Sequence, residues 1–559
     1  MKKNLFILGI LYLIIAGCAN IVPPTGGKKD IIPPVLLKAT PANGSVNFKN
    51  KGFELVFDEF IVLKDINMQL IISPPFESKP DIVVHGKKIK VQFKDTLASN
   101  TTYIFNFGNA ITDFNEGNTL KNFSYAFSTG SYIDSMQFAG QVIDAFTLKP
   151  EEKESVVLLY DYFNDSVPRK IIPHYVTRTD KSGYFHFNFL KPQSYYIVAV
   201  NEINDNYLFD LPSEKIAFLD SVIIPNYHTI ADTISDSLIV NRTVFSPDSL
   251  KLFLFAETQK TQYITDYKRL TPYHCQVIFF APNSSMPEIH LLESDSFQVE
   301  TSEKNDTIQL WLPNDSNLFL KDTVTFVFGY DFMSDSGKVS AKDTLFFKLK
   351  KPYRSKPLTF SVNNKFPMPE NQQVIIKFSE PVATMDTSKI TFISTTESSI
   401  DTLHFIYKKV DSIGRQFIID NHWQYGKSYK ILFDTAAITS VYHHCNDSTG
   451  INISIQDPDY YGKISFKIKT TKKNLIFQLL DANDIRLREI NVFPDDSVLV
   501  FSQLNPGLYK LKLFFDNNKN GKWDTGNLKE QRQPEIVYFY PQPIEVKSGW
   551  ESTYDWEIK

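Results

Sequence analysis

Cysteine is nearly absent, with three residues in 559. Two of them, Cys275 and Cys445, lie 170 positions apart (445 minus 275), so isolated thiols are expected rather than a disulfide framework. Charge of one sign is also missing. A net charge of -4 over 59 basic and 63 acidic residues gives no field to attract nucleic acid, which is not expected as a partner. The apolar run Leu5 to Ala16 covers 12 residues and falls short of the ~20 that cross a bilayer as a helix. Common catalytic patterns are lacking: GxSxG, a P-loop, GxGxxG after a strand, HExxH and CxxC do not occur, and the 10 His residues are scattered. An enzyme is therefore not expected.

What is abundant is Phe (46) and Tyr (27), punctuated by 22 Gly and 30 Pro, the composition of short half-buried strands joined by turns. Apolar and polar residues alternate in Ile89–Lys94, Tyr103–Phe107, Phe185–Phe189, Val324–Phe328 and Tyr509–Leu513, so each run has one face for a core. Turn sets such as Asp180-Lys181-Ser182-Gly183 separate them, and no long amphipathic helix stands out. The fold class is all-β. At this length one hydrophobic core does not suffice, and several domains of roughly 100 to 150 residues are expected.

Two internal repeats set their order. Val56-Phe57-Asp58-Glu59-Phe60-Ile61 matches Lys377-Phe378-Ser379-Glu380-Pro381-Val382, and Ala110-Ile111-Thr112-Asp113 matches Ala437-Ile438-Thr439-Ser440. Leu190, Pro192, Tyr195 and Glu202 match Leu504, Pro506, Tyr509 and Asp516, all at an offset of 314 (504 minus 190). The expected segments are 33–130, 134–226, 238–350, 355–456 and 458–559. The fourth copies the first, the fifth copies the second, and the third has no internal partner.

The start of the chain reads as export. Lys2 and Lys3 precede the apolar run, and Ile15-Ala16-Gly17-Cys18 resembles the lipobox of bacterial lipoproteins. That resemblance implies a signal peptide over 1–17 and an acylated Cys18 that holds the chain on a membrane, with 18–32 as a Pro- and Gly-rich tether. Ala19-Asn20-Ile21-Val22 is neutral, whereas surface-exported lipoproteins of the related group carry an acidic cluster there, so a periplasm-facing anchor on the outer membrane is preferred.

Segment 33–130 resembles the SbsA-type bacterial Ig-like domain through Pro41-Ala42-Asn43-Gly44-Ser45, Leu55-Val56-Phe57-Asp58-Glu59, Leu97 to Tyr103, Ile111-Thr112-Asp113 with Gly117-Asn118, and Phe127-Ser128-Thr129. The second copy keeps Phe378-Ser379-Glu380-Pro381-Val382 but lacks a clear Gly-Asn turn after Ser440. Segments 134–226 and 458–559 resemble carboxypeptidase-regulatory or prealbumin-like sandwiches through Phe138 to Val142, Asp180 to Phe185 and Leu190-Lys191-Pro192 in one, and Gly462 and Leu504 to Tyr509 in the other. These resemblances imply spacer, connecting or adhesive modules, and bring no catalytic residues with them.

The sharpest local pattern is Asp516 to Asn527. Oxygen side chains at Asp516, Asn518, Asn520 and Asp524, Gly521 at the sixth position and the Lys522 carbonyl at the seventh have the spacing of a calcium loop. Asn527 stands where a bidentate Glu is usual, leaving Glu530 or Glu535 to fold back. Two readings stand, a weak calcium site and a polar turn with Trp523 packed on the sandwich. Glu202, Asn204, Asn206 and Asp210 repeat the spacing, with Tyr207 in place of Gly. His443-His444-Cys445 reads as a surface loop with one buried Cys. The functional reading is a non-catalytic envelope scaffold, contacting other envelope proteins or glycans. A glycan-binding protein, using Trp423 or Trp311 as stacking platforms, and an enzyme with an unrecognised site are the alternatives.

Overall fold

The computed structural model describes residues 30–558, apart from 236–237, 259–260, 315, 335–336, 351–352 and 493–497. The expected signal peptide, Cys18 and most of the tether lie outside the described residues. The chain is nearly all β. It divides into two compact units, one running to Ala256 and taking in Leu528–Arg532, the other starting at Glu257.

In the first unit, the strand Gly52–Phe57 shows why these sequences form sandwiches: Phe53, Leu55 and Phe57 point inward and their neighbours outward. One antiparallel sheet runs in the order Leu36–Thr40, Gly52–Phe57, Lys88–Gln92, Asp81–His85, and a second in the order Ile71–Ser73, Thr102–Gly108, Phe123–Ser128. Their inner faces meet in an aromatic core in which Phe48 stacks on Phe127 at 3.8 Å between centroids and Phe53 on Tyr125 at 4.0 Å. A ribbon of Ile61–Leu63 with Ile111–Asp113 closes one end.

The following sandwich is closed by a long return. Its first strand, Met136–Asp144, pairs antiparallel with Tyr184–Leu190 on one side and parallel with Leu250–Ala256 on the other. This corrects the expected boundary. Residues 250–256 were assigned to the 238–350 segment, but Leu252 and Leu254 are fully buried in the core of the preceding sandwich. The hairpin of Asn226–Ser235 and Leu238–Ser246 intervenes, and its length hid the return in the sequence. The close approach of the parallel pair explains Gly140. A Cβ there would lie 2.6 Å from both the Leu250 carbonyl oxygen and the Phe185 ring. In the Asp180–Gly183 turn, Asp180 Oδ1 accepts from the Ser182 and Tyr184 amides, and Gly183 takes a φ of +78°.

In the second unit, the middle segment folds as its own sandwich. The sheet Ile264–Thr271, His274–Phe279, Thr307–Trp311, Gln298–Thr301 packs on Glu288–Leu291, Thr323–Ser334, Gly337–Lys348 around Cys275, Leu310, Phe326 and Phe328. Cys275 and Cys445 are free thiols, and burial pushes the Cys275 thiol up to about 12.

The next segment repeats the first sandwich with one strand added, Ile400–Leu403 at the edge of the second sheet. Phe360–Val362, Val374–Phe378, Gln416–Asp420 and Ile406–Lys409 form one sheet; Ile400–Leu403, Ile390–Thr395, Ser428–Phe433 and Thr449–Ser454 form the other; Val382–Met385 pairs with Ile438–Ser440. Where Asp113 accepts from the amides of Glu116, Gly117 and Asn118, the Ser440 hydroxyl accepts from those of Tyr442 and His444. The turn missing from the sequence pattern is present, built on a hydroxyl rather than a carboxylate.

The last segment repeats the long return: Gly462–Thr470 pairs antiparallel with Val498–Leu504 and parallel with Glu551–Ile558. Tyr195 and Tyr509 hold equivalent corners. Each hydroxyl donates to the carbonyl four residues back, Lys191 at 2.9 Å and Asn505 at 2.6 Å. Tyr195 bridges Ile223, and Tyr509 pairs with Ile544.

The revised boundary has a measurable consequence. A fragment of residues 30–257 is expected to melt cooperatively, while 30–237 loses Leu252 and Leu254 at roughly 1.5–3 kcal/mol each and exposes the first strand's edge. Equal melting temperatures for the two fragments would reject the revised boundary.

Candidate functional site

Two loops in equivalent places carry the densest buried charge. In the last sandwich, the strand Gly507–Phe515 delivers Asp516, which is buried. Asp516 Oδ1 accepts from the Asn520 amide at 3.0 Å and Oδ2 from the Gly521 amide at 2.8 Å. Asn518 and Asn520 donate their side-chain amides to Asp524, and their own carbonyl oxygens accept from Asn520 and Lys522. The residue that folds back is Glu535. It is buried, and its two oxygens accept from the amides of Asn517 at 2.6 Å and Asp524 at 3.0 Å. Burial holds the Glu535 carboxyl above its ordinary range, and the charges of Asp524 and Asp516 add to that against the amides it accepts from. Trp523 packs as the turn reading expects, donating Nε1–H to the Glu535 carbonyl at 2.8 Å. Asn527 is buried.

The first copy has the same wiring. Glu202 Oε1 accepts from the Tyr207 amide, Asn204 and Asn206 donate to Asp210 at 3.1 and 2.8 Å, and Glu214 accepts from the amides of Ile203 and Asp210. Glu214 thus does what Glu535 does, and neither belongs to the local spacing from which the loops were read. Burial raises Glu202 above its ordinary range, while the Arg178 charge opposes the shift. Tyr207 takes the left-handed φ of +60° that Gly521 adopts at +77°. Among the described residues, no group of three or more His, Cys, Asp and Glu side chains is arranged to hold a metal ion.

A second cluster lies within the second unit, where the middle sandwich meets the repeated one. Ile413 and Tyr442 pack into the middle core, and Tyr442 stacks on Tyr273 at 3.6 Å. Beside them His444 Nδ1 bonds both Glu380 oxygens at 3.0 Å, the Tyr273 hydroxyl donates to Glu380 at 2.7 Å, and the Ser355 hydroxyl lies 2.7 Å from His444 Nε2. The sequence reading of His443 to Cys445 as a plain surface loop with a buried Cys is corrected here. His444 is a joint residue, Asn446 is the buried neighbour, and Cys445 is half-buried. No local spacing signals this, because the partners lie on turns and connections far apart in the sequence, Tyr273 in the middle sandwich and Glu380 in the repeated one.

Next to it, Glu300 pairs with Lys377 at 3.0 Å and with Arg415, whose guanidinium lies 4.7 Å from the Trp311 ring centre. Trp311 and Trp423 are buried, so neither serves as an exposed stacking platform. Burial would raise Glu300, but Lys377 and Arg415 outweigh it and hold the carboxyl below its ordinary range. His274 stacks on Trp311 at 3.8 Å, and burial, helped by the Arg415 charge, lowers it to about 4.

These geometries belong to a modular all-β protein. Residues 30–129 match the bacterial Ig-like domain family. No curated protein sequence matches the chain. Solved structures similar to it include the major pilin subunit BcpA of Bacillus cereus (11% identity, 76% of this chain and 98% of that one, TM-score 0.16). Others are the major pilin SpaA of Corynebacterium diphtheriae (11%, 76% and 100%, 0.16) and the S-layer protein SbsC (11%, 87% and 64%, 0.14). Similarity at this level carries no argument about function.

The joint sets a pH dependence with a definite sign. A His whose folded pKa lies below its unfolded value of about 6.5 stabilises the fold above that value, and the stability is lost as pH falls toward about 4. The depressed Glu300 loses its contribution in the same direction, at lower pH. Denaturant unfolding of the second unit is expected to weaken by up to about 3 kcal/mol over this range through His274. His274→Gln should flatten the upper part of the profile, and an unchanged profile would count against it.

Proposed function

We propose that the chain is a non-catalytic, lipid-anchored scaffold of the cell envelope, held on the outer membrane through Cys18 and facing the periplasm. The observation that carries the scaffold reading is the joint of the second unit. Tyr442 and Ile413 enter a neighbouring domain's core, and a half-buried ion-pair network ties the same two domains. Such a connection holds successive sandwiches in a fixed relation, which suits presenting or connecting envelope proteins or glycans rather than chemistry. The bacterial Ig-like domain at residues 30–129 supports the same reading. Replacing Cys18 by Ser is expected to move the chain from the detergent-extracted membrane fraction to the soluble one. Retention in the membrane fraction would reject the anchor.

Calcium stiffening of the last sandwich belongs to this reading. Asp516, Asn518, Asn520, Asp524 and the Lys522 carbonyl would hold the ion, with Glu535 in the place of the missing loop-end Glu. Support comes from the mutual repulsion of the buried carboxylates, which a divalent cation relieves. Calorimetric titration is expected to give a dissociation constant of about 10⁻⁴ to 10⁻³ M and a rise in melting temperature. Both should vanish in Glu535→Gln and persist in Glu530→Gln. Absence of heat and of a thermal shift in the unaltered chain would reduce the loop to a hydrogen-bonded turn.

A further inference from the structure

The core-facing row of the final strand changes character along its length. Ile558 and Trp556 are buried, whereas Tyr554 and Ser552 on the same face are half-buried. The parallel register sets Tyr554 beside Phe466, on which its ring stacks at 5.2 Å, and Ser552 beside Ile464. The sandwich therefore opens at this end into a groove of about 440 Å³, lined by Gln542, Glu545, Lys547, Trp550, Ser552 and Tyr554 among others.

The two copies of the fold differ here. In the first copy the hairpin Asn226–Ser235 with Leu238–Ser246 precedes the returning strand and packs against Met136–Asp144. The second copy replaces it with the short turn Lys547–Trp550 before Glu551–Ile558. That turn leaves the Trp550 side chain 64% exposed at the rim of the groove. Trp311, Trp423 and Trp556 are buried, which sets Trp550 apart. Its backbone is fixed, because the Trp550 carbonyl accepts from the Lys463 amide at 2.9 Å. Lys547 Nζ lies 5.6 Å from the ring centre, which orders the side chain as well.

We propose that this groove binds a neutral saccharide, with a pyranose face packed on the Trp550 indole and ring hydroxyls hydrogen-bonded by Gln542, Glu545, Lys547 and Ser552. One amphipathic ring among polar side chains matches the alternation of apolar C–H faces and equatorial hydroxyls on a sugar. A protein partner would favour a contiguous apolar patch instead. Neutrality follows from the lining charges, since Glu545 and Lys547 face each other at 3.7 Å and offset one another. The site does not depend on the scaffold reading or on calcium.

The test is calorimetry and tryptophan fluorescence of the full-length chain with maltopentaose, cellopentaose, mannopentaose and chitopentaose. At least one of these is expected to bind with a blue shift of the emission. Trp550→Ala should weaken that binding by about tenfold or more, equivalent to about 1.4 kcal/mol, without changing the melting temperature. Trp550→Phe should retain most of it. No heat from any of the four sugars, or binding that survives Trp550→Ala, overturns the proposal.

Discussion

A strand that is apolar on one face and polar on the other is stable only where a second sheet covers the apolar face, and here that cover repeatedly comes from far along the chain. In both sandwiches with a long return the covering is completed by a parallel pairing of the first strand with the last, Gly140 to Asp144 with Leu250 to Leu254 and Lys463 to Thr470 with Glu551 to Ile558. A parallel neighbour cannot be reached by a tight turn. Each sandwich is therefore completed only when its last strand returns, and the acidic loop lies on the connection between the two paired strands in each copy. The solvent face of the second pair shows how the edge is kept from recruiting foreign strands. Lys463, Lys467 and Lys469 stand opposite Glu551, Asp555 and Glu557, a row of opposite charges along an exposed edge strand.

The acidic loops follow from that closure. Asp516 and Glu202 sit where a buried strand ends, so a carboxylate enters the protein interior without a side-chain cation supplied by the loop itself. Backbone amides do the first part of the work: Gly521 and Asn520 for Asp516, Tyr207 for Glu202, and two more amides for Glu535 and Glu214. Amide donors lower the cost of a buried carboxylate but do not cancel its charge. The first copy places Arg178 close enough for its charge to oppose the raised pKa of Glu202. For Glu535 the nearby charges that act on the carboxyl are acidic, Asp524 and Asp516, and both push its pKa up. In both copies a neighbouring aspartate pushes the buried carboxyl's pKa up, Asp205 for Glu202 and Asp524 for Glu535, and the first copy adds Arg178 as an opposing charge.

The legibility of this molecule divides along the range of the interactions. Strands are readable because alternation is a period-two signal within five or six residues: Thr102–Gly108, Tyr184–Leu190, Thr323–Ser334 and Gly507–Phe515 cover runs read from the sequence, and Lys88–Gln92 overlaps the run Ile89–Lys94. The acidic loop was readable because its oxygens lie within nine positions. Glu535 is one of two candidates to fold back, with Glu530, whereas its equivalent Glu214 is reached at an offset different from that of the loop residues, so no fixed spacing connects it to its loop. The Leu250–Ala256 return was missed for the same reason, a long hairpin standing between it and the strands it completes. His444 differs from the sequence reading because Glu380, Tyr273 and Ser355 approach it from separate turns and connections, Tyr273 from the middle sandwich.

The buried tryptophans sharpen the distinction between joint and surface. Trp311 has its indole packed between His274 and Arg415, with Nε1–H directed to Glu300, and it thereby ties an aromatic core to a charged network. An indole used this way needs neighbours on both faces, which a domain joint provides. Trp550 is on a turn at the open end of a sandwich, where Lys547 approaches its ring and solvent reaches most of the side chain. The hydrogen bond that fixes the turn uses the Trp550 carbonyl, which any residue could provide. The side chain is therefore what distinguishes this position, and recognition of a ligand is the physical role that an ordered, solvent-facing indole beside polar groups can fill.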